Sequence, residues 1–495
     1  MIRLNISTAS IVWYLYDSTF MEGIKVFSGA HCNREDRCGT IQENKEVASM
    51  HTETKVFSYP NGEIQRVEVC RLEDWNELEL LKPVPDPGAL DCFHRIYRQF
   101  LVPAAPWVFG SLVMFRLPEG LQVPFSSEAK GYGHVADPLT AAALGLRRGV
   151  WMTGDQPRFR DEVTEKFWKE LDSRGCIRIA RGKLPITTFI PVRNETGLLT
   201  ESEIHAQMKV NGSFFVMDPF DCATAHDHVG AYIGLFVKNG KVENPPQYGR
   251  EALLVRQDGR ISVEQMHIRQ LPVRIGEDVF IHGENARFYT RPRRGRTPIT
   301  TGQNIVVIGN RVAAVNRGST PIPGSGFVIC PKKPCDVKPG DPVVYQGLEN
   351  VRFGIQVGNS TVRNGVPTEK FISKFFNVRG LWRIAYPPSL YPLHYDSDRA
   401  ARIAIGADGA GKPMILWAEG AAKIGHTPGV DSCGATLSDM ARICKEVGME
   451  NGVNLDGGGS AQMLISNKRS LMISDRKDQD CSEQERPVPM GLMVR

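Results

Sequence analysis

Gly452-Val453-Asn454-Leu455-Asp456-Gly457-Gly458-Gly459-Ser460-Ala461 is the stretch around which this chain is best read. Val453 and Leu455 alternate as a short strand and lead into a carboxylate, three glycines and a serine. Glycine has no Cβ and tolerates positive φ, so the backbone can turn sharply and approach a ligand closely. Successive amides at such a turn form an anion-binding concavity. The competing reading is a glycine-rich hairpin whose Asp456 merely holds the turn. Just upstream, Leu437, Met440, Ile443, Cys444 and Val447 recur three or four residues apart, which predicts a helix over 436–447 with one buried stripe. Thr436 and Asp439 are placed as a capping box, and Gly448 ends the helix. Helix, strand, glycine turn and strand follow in that order. This is not a P-loop, which needs Gly-Lys-Ser/Thr.

Composition sets broad limits. The chain has 495 residues, so two or more domains are expected. Its 41% hydrophobic and 23% charged residues fit an ordinary soluble protein. With 48 glycines and 32 prolines, a turn-rich, strand-rich architecture is favoured over a helical bundle. A net charge of +5 is only mildly basic and gives no reason to expect nucleic acid. Eleven cysteines leave at least one thiol unpaired in a monomer; pairs such as Cys32/Cys38 and Cys330/Cys335 could bridge, yet the chain is not small and disulfide-dense. The apolar residues 11–16 lack the flanks of a signal peptide. No apolar run reaches the roughly 18–20 residues of a membrane span. The expectation is therefore a cytoplasmic protein with no membrane partner.

The first third differs from the rest. Residues 55–70 alternate around Asn61-Gly62, which predicts a β-hairpin with a type I′ turn. Residues 83–88 read as a turn or linker, and 155–171 as a helix with Phe167, Trp168 and Leu171 on its apolar face. From about 180 onward short strands dominate, at 185–192, 304–308 and 403–405 among others. The fold class expected is α+β: mixed, strand-rich sheets with a few packed helices. Residues 1–178 are set apart as an N-terminal accessory region, and 179–495 as the main domain.

Other motifs bear on chemistry. Asn211-Gly212-Ser213-Phe214-Phe215 follows a strand. Asn211 is placed to orient a sugar hydroxyl or a water, or else to make an Asx turn before two core phenylalanines. Arg402 opens a run of small apolar residues and needs an anionic partner there, since burying it unpaired is costly. Asp408-Gly409 reads as a hairpin turn. Glu485 and Arg486 either complete a site or form a surface ion pair. The arginines between 287 and 296 are a polyanion-capturing loop or a solvated one. Cys222, His226 and His228 have a metal-like spacing without a second ligand cluster.

In this order the motifs resemble the phosphodiester glycosidase family, the domain of the lysosomal uncovering enzyme that removes N-acetylglucosamine from mannose-phosphate groups, and of bacterial relatives. The resemblance rests on Asn211 to Phe215, on Phe288-Tyr289-Thr290 with Thr300-Thr301-Gly302 and Asn304, on residues 322–328, on Arg402 to Gly406, on Asn454 to Ala461 and on Glu485 to Val488. Departures are Ser213 for the middle glycine, Ile403 for threonine, and Glu419-Gly420 where members have Asp-Gly. Residues 423–433, with His426, are closer to the bacterial version.

The resemblance implies hydrolysis at a sugar anomeric carbon with a phosphomonoester as leaving group, on a sugar-phosphodiester or phosphorylated glycan. It implies no cofactor and no metal. Asp456 would be the nucleophile or the base toward water. Arg402 and the amides of Gly457, Gly458, Gly459 and Ser460 would hold phosphate, and Asn211 would orient substrate. Glu485 is a second carboxylate candidate; Thr301, His426 and Arg486 are candidate binding residues. Two rivals remain at this point. One is a metal-dependent phosphodiesterase using Asp456, Asp408, His226 and His228. The other is a glycan- or phosphosugar-binding module without catalysis.

Overall fold

The computed structural model describes residues 50–86, 226–291, 296–369, 399–421, 426–474 and 483–495, with shorter stretches between 110 and 224 and at 376–378 and 381–383. The elements that frame the glycine turn are, in chain order, β1 (Met50–Ser58), β2 (Ile64–Leu72), β3 (Leu78–Leu81), helix α1 (Glu162–Ser173), β4 (Met208–Asn211), β5 (Ser360–Arg363), β6 (Val366–Pro367), β7 (Arg402–Asp408), β8 (Pro413–Ala418), helix α2 (Leu437–Glu446), β9 (Met449–Asn454), β10 (Met463–Ile465), β11 (Lys468–Arg469) and β12 (Gly491–Val494).

Two antiparallel sheets carry the site. The first has seven strands in the order β1-β2-β8-β7-β9-β5-β6. The second has five, β3-β12-β4-β10-β11. The alternation of side chains along β7 and β8 decides what each face of the seven-stranded sheet meets. Ile403, Ile405, Ile415 and Trp417 enter the largest core, shared with Val210, Met463, Leu492 and Val494 of the five-stranded sheet. Ala404, Met414, Leu416 and Ala418 face the other way, onto Met440, Ile443 and Cys444 of α2. The central strands are therefore buried on both faces. The main core also takes in Leu253, Val255, Phe353 and Ile355 of a further five-stranded sheet. That sheet's opposite face, with Ala252 and Leu254, packs on a separate core that includes Phe288, Ile305 and Phe327.

Helix α2 matches its expected span, with the reciprocal Thr436–Asp439 capping box and Gly448 at φ +95° just beyond it. Helix α1 begins later than its sequence pattern suggests, because Asp161 accepts the Thr164 N–H as N-cap. The β1–β2 hairpin forms, but its connection spans residues 59–63 and only Gly62 takes positive φ, at +82°. A type I′ turn needs both central residues there, so that turn type is corrected. The described residues are mostly strand, with two helices delimited among them, so the fold is mainly β and α+β describes it only loosely.

Residues 50–81 fall in the N-terminal part of the sequence division yet are built into the main sheets. Residue Val67 of β2 pairs with Ala418 of β8, and Leu81 of β3 with Gly491 of β12. Helix α1 instead has its own small core, where Phe167, Trp168 and Leu171 meet Val113 and Phe115. Cys330 and Cys335 are free thiols, which corrects the bridge considered for them; Cys330 Sγ lies 2.9 Å from Asn304 Oδ1. Cys32 and Cys38 lie outside the described residues.

Candidate active site

The register of β7 against β9 brings distant motifs together. Ala404 pairs with Asn454, so continuing the antiparallel ladder sets Arg402 across from residue 456. The ladder does continue: Leu455 N–H donates to Ile403 O at 2.8 Å and Gly458 N–H to Ala401 O at 2.8 Å. The chain then leaves the seven-stranded sheet and enters the five-stranded one at Met463, so the glycine turn is the crossing between the two sheets.

Asp456 sits at the start of this crossing. Burial pushes its carboxyl up from the ordinary 3.8 to about 7, against the opposing pull of a hydrogen bond from Ser460, the Arg486 charge, the Gly457 N–H and the Arg402 charge. The residue as a whole is only half-buried. Both arginines are almost wholly buried, at 5% exposure for Arg402 and 8% for Arg486. Arg402 is aimed by its Nε–H, which donates to Ala435 O at 3.0 Å just before α2. Arg486 Nη1 reaches Ser460 Oγ at 3.4 Å, so guanidinium, hydroxyl and carboxyl form a short relay.

Asn211 lies at the end of β4, buried beneath the turn. Its Nδ2 donates to Asp456 O at 2.9 Å and its Oδ1 accepts the Gln462 N–H at 3.0 Å. One amide thus fastens both ends of the crossing, and it is spent on backbone rather than turned to a ligand. Gly212 O accepts the Asp456 N–H at 3.0 Å. A Cβ on Gly212 would fall 2.1 Å from Met490 Sδ, so the small residue after Asn211 lets this strand end close on the last strand.

The turn itself is a short 3-10 segment, Gly458–Ser460. Its amides are largely occupied within the loop. Gly457 N–H serves Asp456, Gly458 N–H serves Ala401, and Ser460 N–H reaches Gly457 O at 3.3 Å. Among these four described residues only the Gly459 amide has no partner. Two glycines are required by geometry. Gly458 has φ +62°, and a Cβ on Gly457 would lie 2.9 Å from Ala401 O and 3.5 Å from Arg402 Cδ.

The remaining sequence candidates are engaged with other partners or stand on other elements. Glu485 accepts Thr200 N–H at 3.1 Å and Thr200 Oγ1 at 2.5 Å, with Arg469 at 3.5 Å, so its carboxylate is engaged away from Arg486's partner Ser460. Thr301 is exposed in the loop two residues before the strand Gln303–Ile308, which belongs to a different sheet. His426 pairs through Nε2 with Glu63 at 2.8 Å, beside the start of β2. Asp408 accepts the Ala410 and Lys412 N–H groups at 2.9 Å in a hairpin turn. It lies at the other end of β7 from Arg402, roughly 20 Å away at strand rise. His228 pairs with Glu195 at 3.0 Å, and the neighbouring Asp227 holds Ser325. Cys222, Arg293 and Arg294 lie outside the described residues; Arg291 and Arg296 donate to the carbonyls of Ile322 and Ser319. Among the described residues no three His, Cys, Asp or Glu side chains gather as a metal-binding group.

Some parts of the site carry little signal in the sequence. Gln462 is fully buried and ties Arg486 O at 3.0 Å to the Asn211 clasp. Ala435 contributes only a carbonyl, which no side-chain pattern announces. Glu419 lies one residue beyond the end of β8, at the same sheet end as Arg402, and is 3% exposed.

Comparison with known proteins bears on this arrangement. A family model described as phosphodiester glycosidase matches residues 205–495, which holds Asn211, Arg402, Asp456 and Arg486. No curated protein matches the chain. Among solved structures, a hypothetical protein from Synechocystis is similar at 14% identity and TM-score 0.39, over 92% of this chain and 64% of that one. The catalytic domain of zebrafish N-acetylglucosamine-1-phosphodiester alpha-N-acetylglucosaminidase, auto-inhibited by its pro-peptide, is similar at 12% identity and TM-score 0.36, over 92% of this chain and 86% of that one. A putative exported protein from Burkholderia pseudomallei is similar at 12% identity and TM-score 0.35, over 94% of this chain and 100% of that one. The chain thus spans 64% of the length of the Synechocystis protein. With more than half of its length matched by the family model, the chain belongs to the phosphodiester glycosidase family.

Proposed function

We propose that this chain is a hydrolase that cleaves a sugar-1-phosphodiester at the anomeric carbon, releasing the sugar and a phosphomonoester. The observation that carries this reading is the Asp456 carboxyl, raised to about 7 and flanked by two buried arginines. A phosphate ester departs as a stabilised anion, so a strong general acid matters less than for an ordinary glycoside. What the reaction needs is positive charge where the leaving phosphate develops its own, and a carboxylate at the electron-poor anomeric carbon. Arg402 and Arg486 supply the first role and ionised Asp456 the second, as nucleophile or as base toward water.

The held geometry supports the same division of labour. Arg402 is fixed by Ala435 and Asp456 by the Asn211 clasp, so little reorganisation accompanies substrate binding. Asn211 acts in this scheme as a positioning residue. The amides of Gly457, Gly458 and Ser460 shape the turn, and the Gly459 amide is the one left to meet a phosphate oxygen.

The test is release of free sugar from a panel of sugar-1-phosphodiesters and nucleotide sugars, with and without chelator. Wild type should turn over at least one member, and Asp456→Asn should be inactive while remaining folded. Asp456→Asn activity near wild type would remove that residue from the mechanism. Binding without product over long incubation would instead favour a phosphosugar-binding module. Proton NMR of the first-formed anomer separates nucleophile from base, since a covalent intermediate retains configuration and direct water attack inverts it.

A further inference from the structure

At the end of the seven-stranded sheet where Arg402 and Asp456 stand, a wide-mouthed cavity of about 420 Å³ is lined by Glu419, Lys468, Arg469, Leu471, Met472 and Glu483, together with the exposed Ser470. Its size falls in the range of small-molecule sites. The ladder fixes where it stands. Arg402 pairs with Ala418, the residue before Glu419, on one side, and on its other side the ladder leads to Asp456. Two strand spacings put Ala418 and Asp456 about 10 Å apart across the sheet, with Glu419 next in the chain after Ala418.

We propose that this cavity receives the sugar ring, with Glu419 as the residue that selects it; the proposal rests on the reaction proposed above. The lining argues for a neutral, hydroxyl-rich ligand. Its two basic side chains, Lys468 and Arg469, are matched by two acidic ones, Glu419 and Glu483. Arg469 is further neutralised by Glu483 at 3.3 Å and Glu485 at 3.5 Å. An anion would find no excess positive charge here, whereas Arg402 and Arg486 offer it at the turn.

Glu419 is built as a fixed acceptor. Its Oε2 takes the Ser432 hydroxyl at 2.6 Å and Arg66 Nη1 at 3.3 Å, and its Oε1 takes the Met472 N–H at 3.0 Å. A carboxylate offers about four acceptor positions, so Oε1 retains one for a sugar O–H. Leu471 and Met472 give the apolar side against which the ring's C–H face packs. A site made to bond a hydroxyl discriminates strongly against a ligand lacking it, because the buried polar group is then left unpaired.

The experiment measures binding of free hexoses and N-acetylhexosamines to the full chain by saturation-transfer NMR, alongside KM and kcat on the best phosphodiester of the panel. Glu419→Gln should weaken sugar binding and raise KM by about tenfold or more, with a smaller effect on kcat. The same change should have little effect on a deoxy analogue lacking the selected hydroxyl. Because Glu419 also holds Arg66 and Ser432, Ser470→Trp provides a second variant: it fills the cavity from the exposed rim and leaves Glu419's partners in place. It too should abolish sugar binding. Unchanged binding and KM in both folded variants would sink the subsite while leaving the reaction standing. Sugar binding lost in both variants, with no turnover of any phosphodiester by wild type, would sink the reaction and support the subsite.

Discussion

Asn211 and Asp456 meet through backbone rather than through two side chains. The Asn211 Nδ2 donates to the Asp456 carbonyl at 2.9 Å, and its Oδ1 takes the Gln462 N–H at 3.0 Å. Removing the amide leaves one buried acceptor and one buried donor unpaired, at about 1–3 kcal/mol each. Asn211→Ala is therefore expected to lose about 2–6 kcal/mol of stability by denaturant unfolding. It should also lower kcat more than it raises KM, because it loosens the turn that aims the carboxyl. A KM effect alone would point to direct substrate contact instead.

The raised Asp456 carboxyl makes a signed pH prediction. Between its ordinary 3.8 and about 7 the folded chain holds a proton there that the unfolded chain releases. Stability from this group is thus fully present below about pH 4 and is lost as pH rises through 7. The full shift corresponds to a ceiling on the order of 4 kcal/mol, lowered by the partial exposure of the residue. Asp456→Asn should unfold at higher denaturant than wild type at pH 8, with the gap closing toward pH 4. Catalytically, wild-type kcat/KM should rise with pH through about 7, as the carboxylate forms. A flat profile across that range would sink Asp456 as the ionising group.

The parts of this site that were legible in the sequence are those where local chemistry decides. Glycines after an apolar strand can only turn, and Leu437 to Cys444 at helical spacing can only bury one face, so the turn and α2 are where the sequence puts them. Arg402, lone in an apolar run, announced an anionic neighbour. Pairings across hundreds of residues left no such mark. Val67 meets Ala418, and Leu81 meets Gly491, through backbone bonds that any apolar strand makes equally well. Side-chain allegiance was equally hidden. Glu485 and Arg486 are adjacent, yet one turns to Thr200 and Arg469 and the other to Ser460. The polar amide of Asn211 looks the same in sequence whether it serves a ligand or a loop.

Arg486 and Ser460 should tune Asp456 in a common direction. Both hold its carboxyl below the value burial alone would set. Arg486→Met and Ser460→Ala are each expected to move the kcat/KM limb to higher pH. Arg486→Met should in addition cost about 10²–10³ in kcat/KM if it stabilises the departing phosphate. A downward shift of the limb in either variant would contradict the relay.

The two constrained glycines separate strain from aim. Gly458 sits at φ +62°, and a Cβ added there would meet nothing within 4 Å, so Gly458→Ala brings only backbone strain, about 1–2 kcal/mol. Gly457 has ordinary φ, but its added methyl would clash with Ala401 O at 2.9 Å while only touching Arg402 Cδ at 3.5 Å. Gly457→Ala should therefore push the turn off the Ala401 carbonyl, move Asp456 relative to the Arg402 guanidinium, and lose activity out of proportion to stability. The measurement is the ratio of lost kcat/KM to lost unfolding free energy in the two variants. That ratio must be larger for Gly457→Ala. If the two variants fall on one line, activity follows stability alone, and the turn has no separate part in placing Asp456 against Arg402.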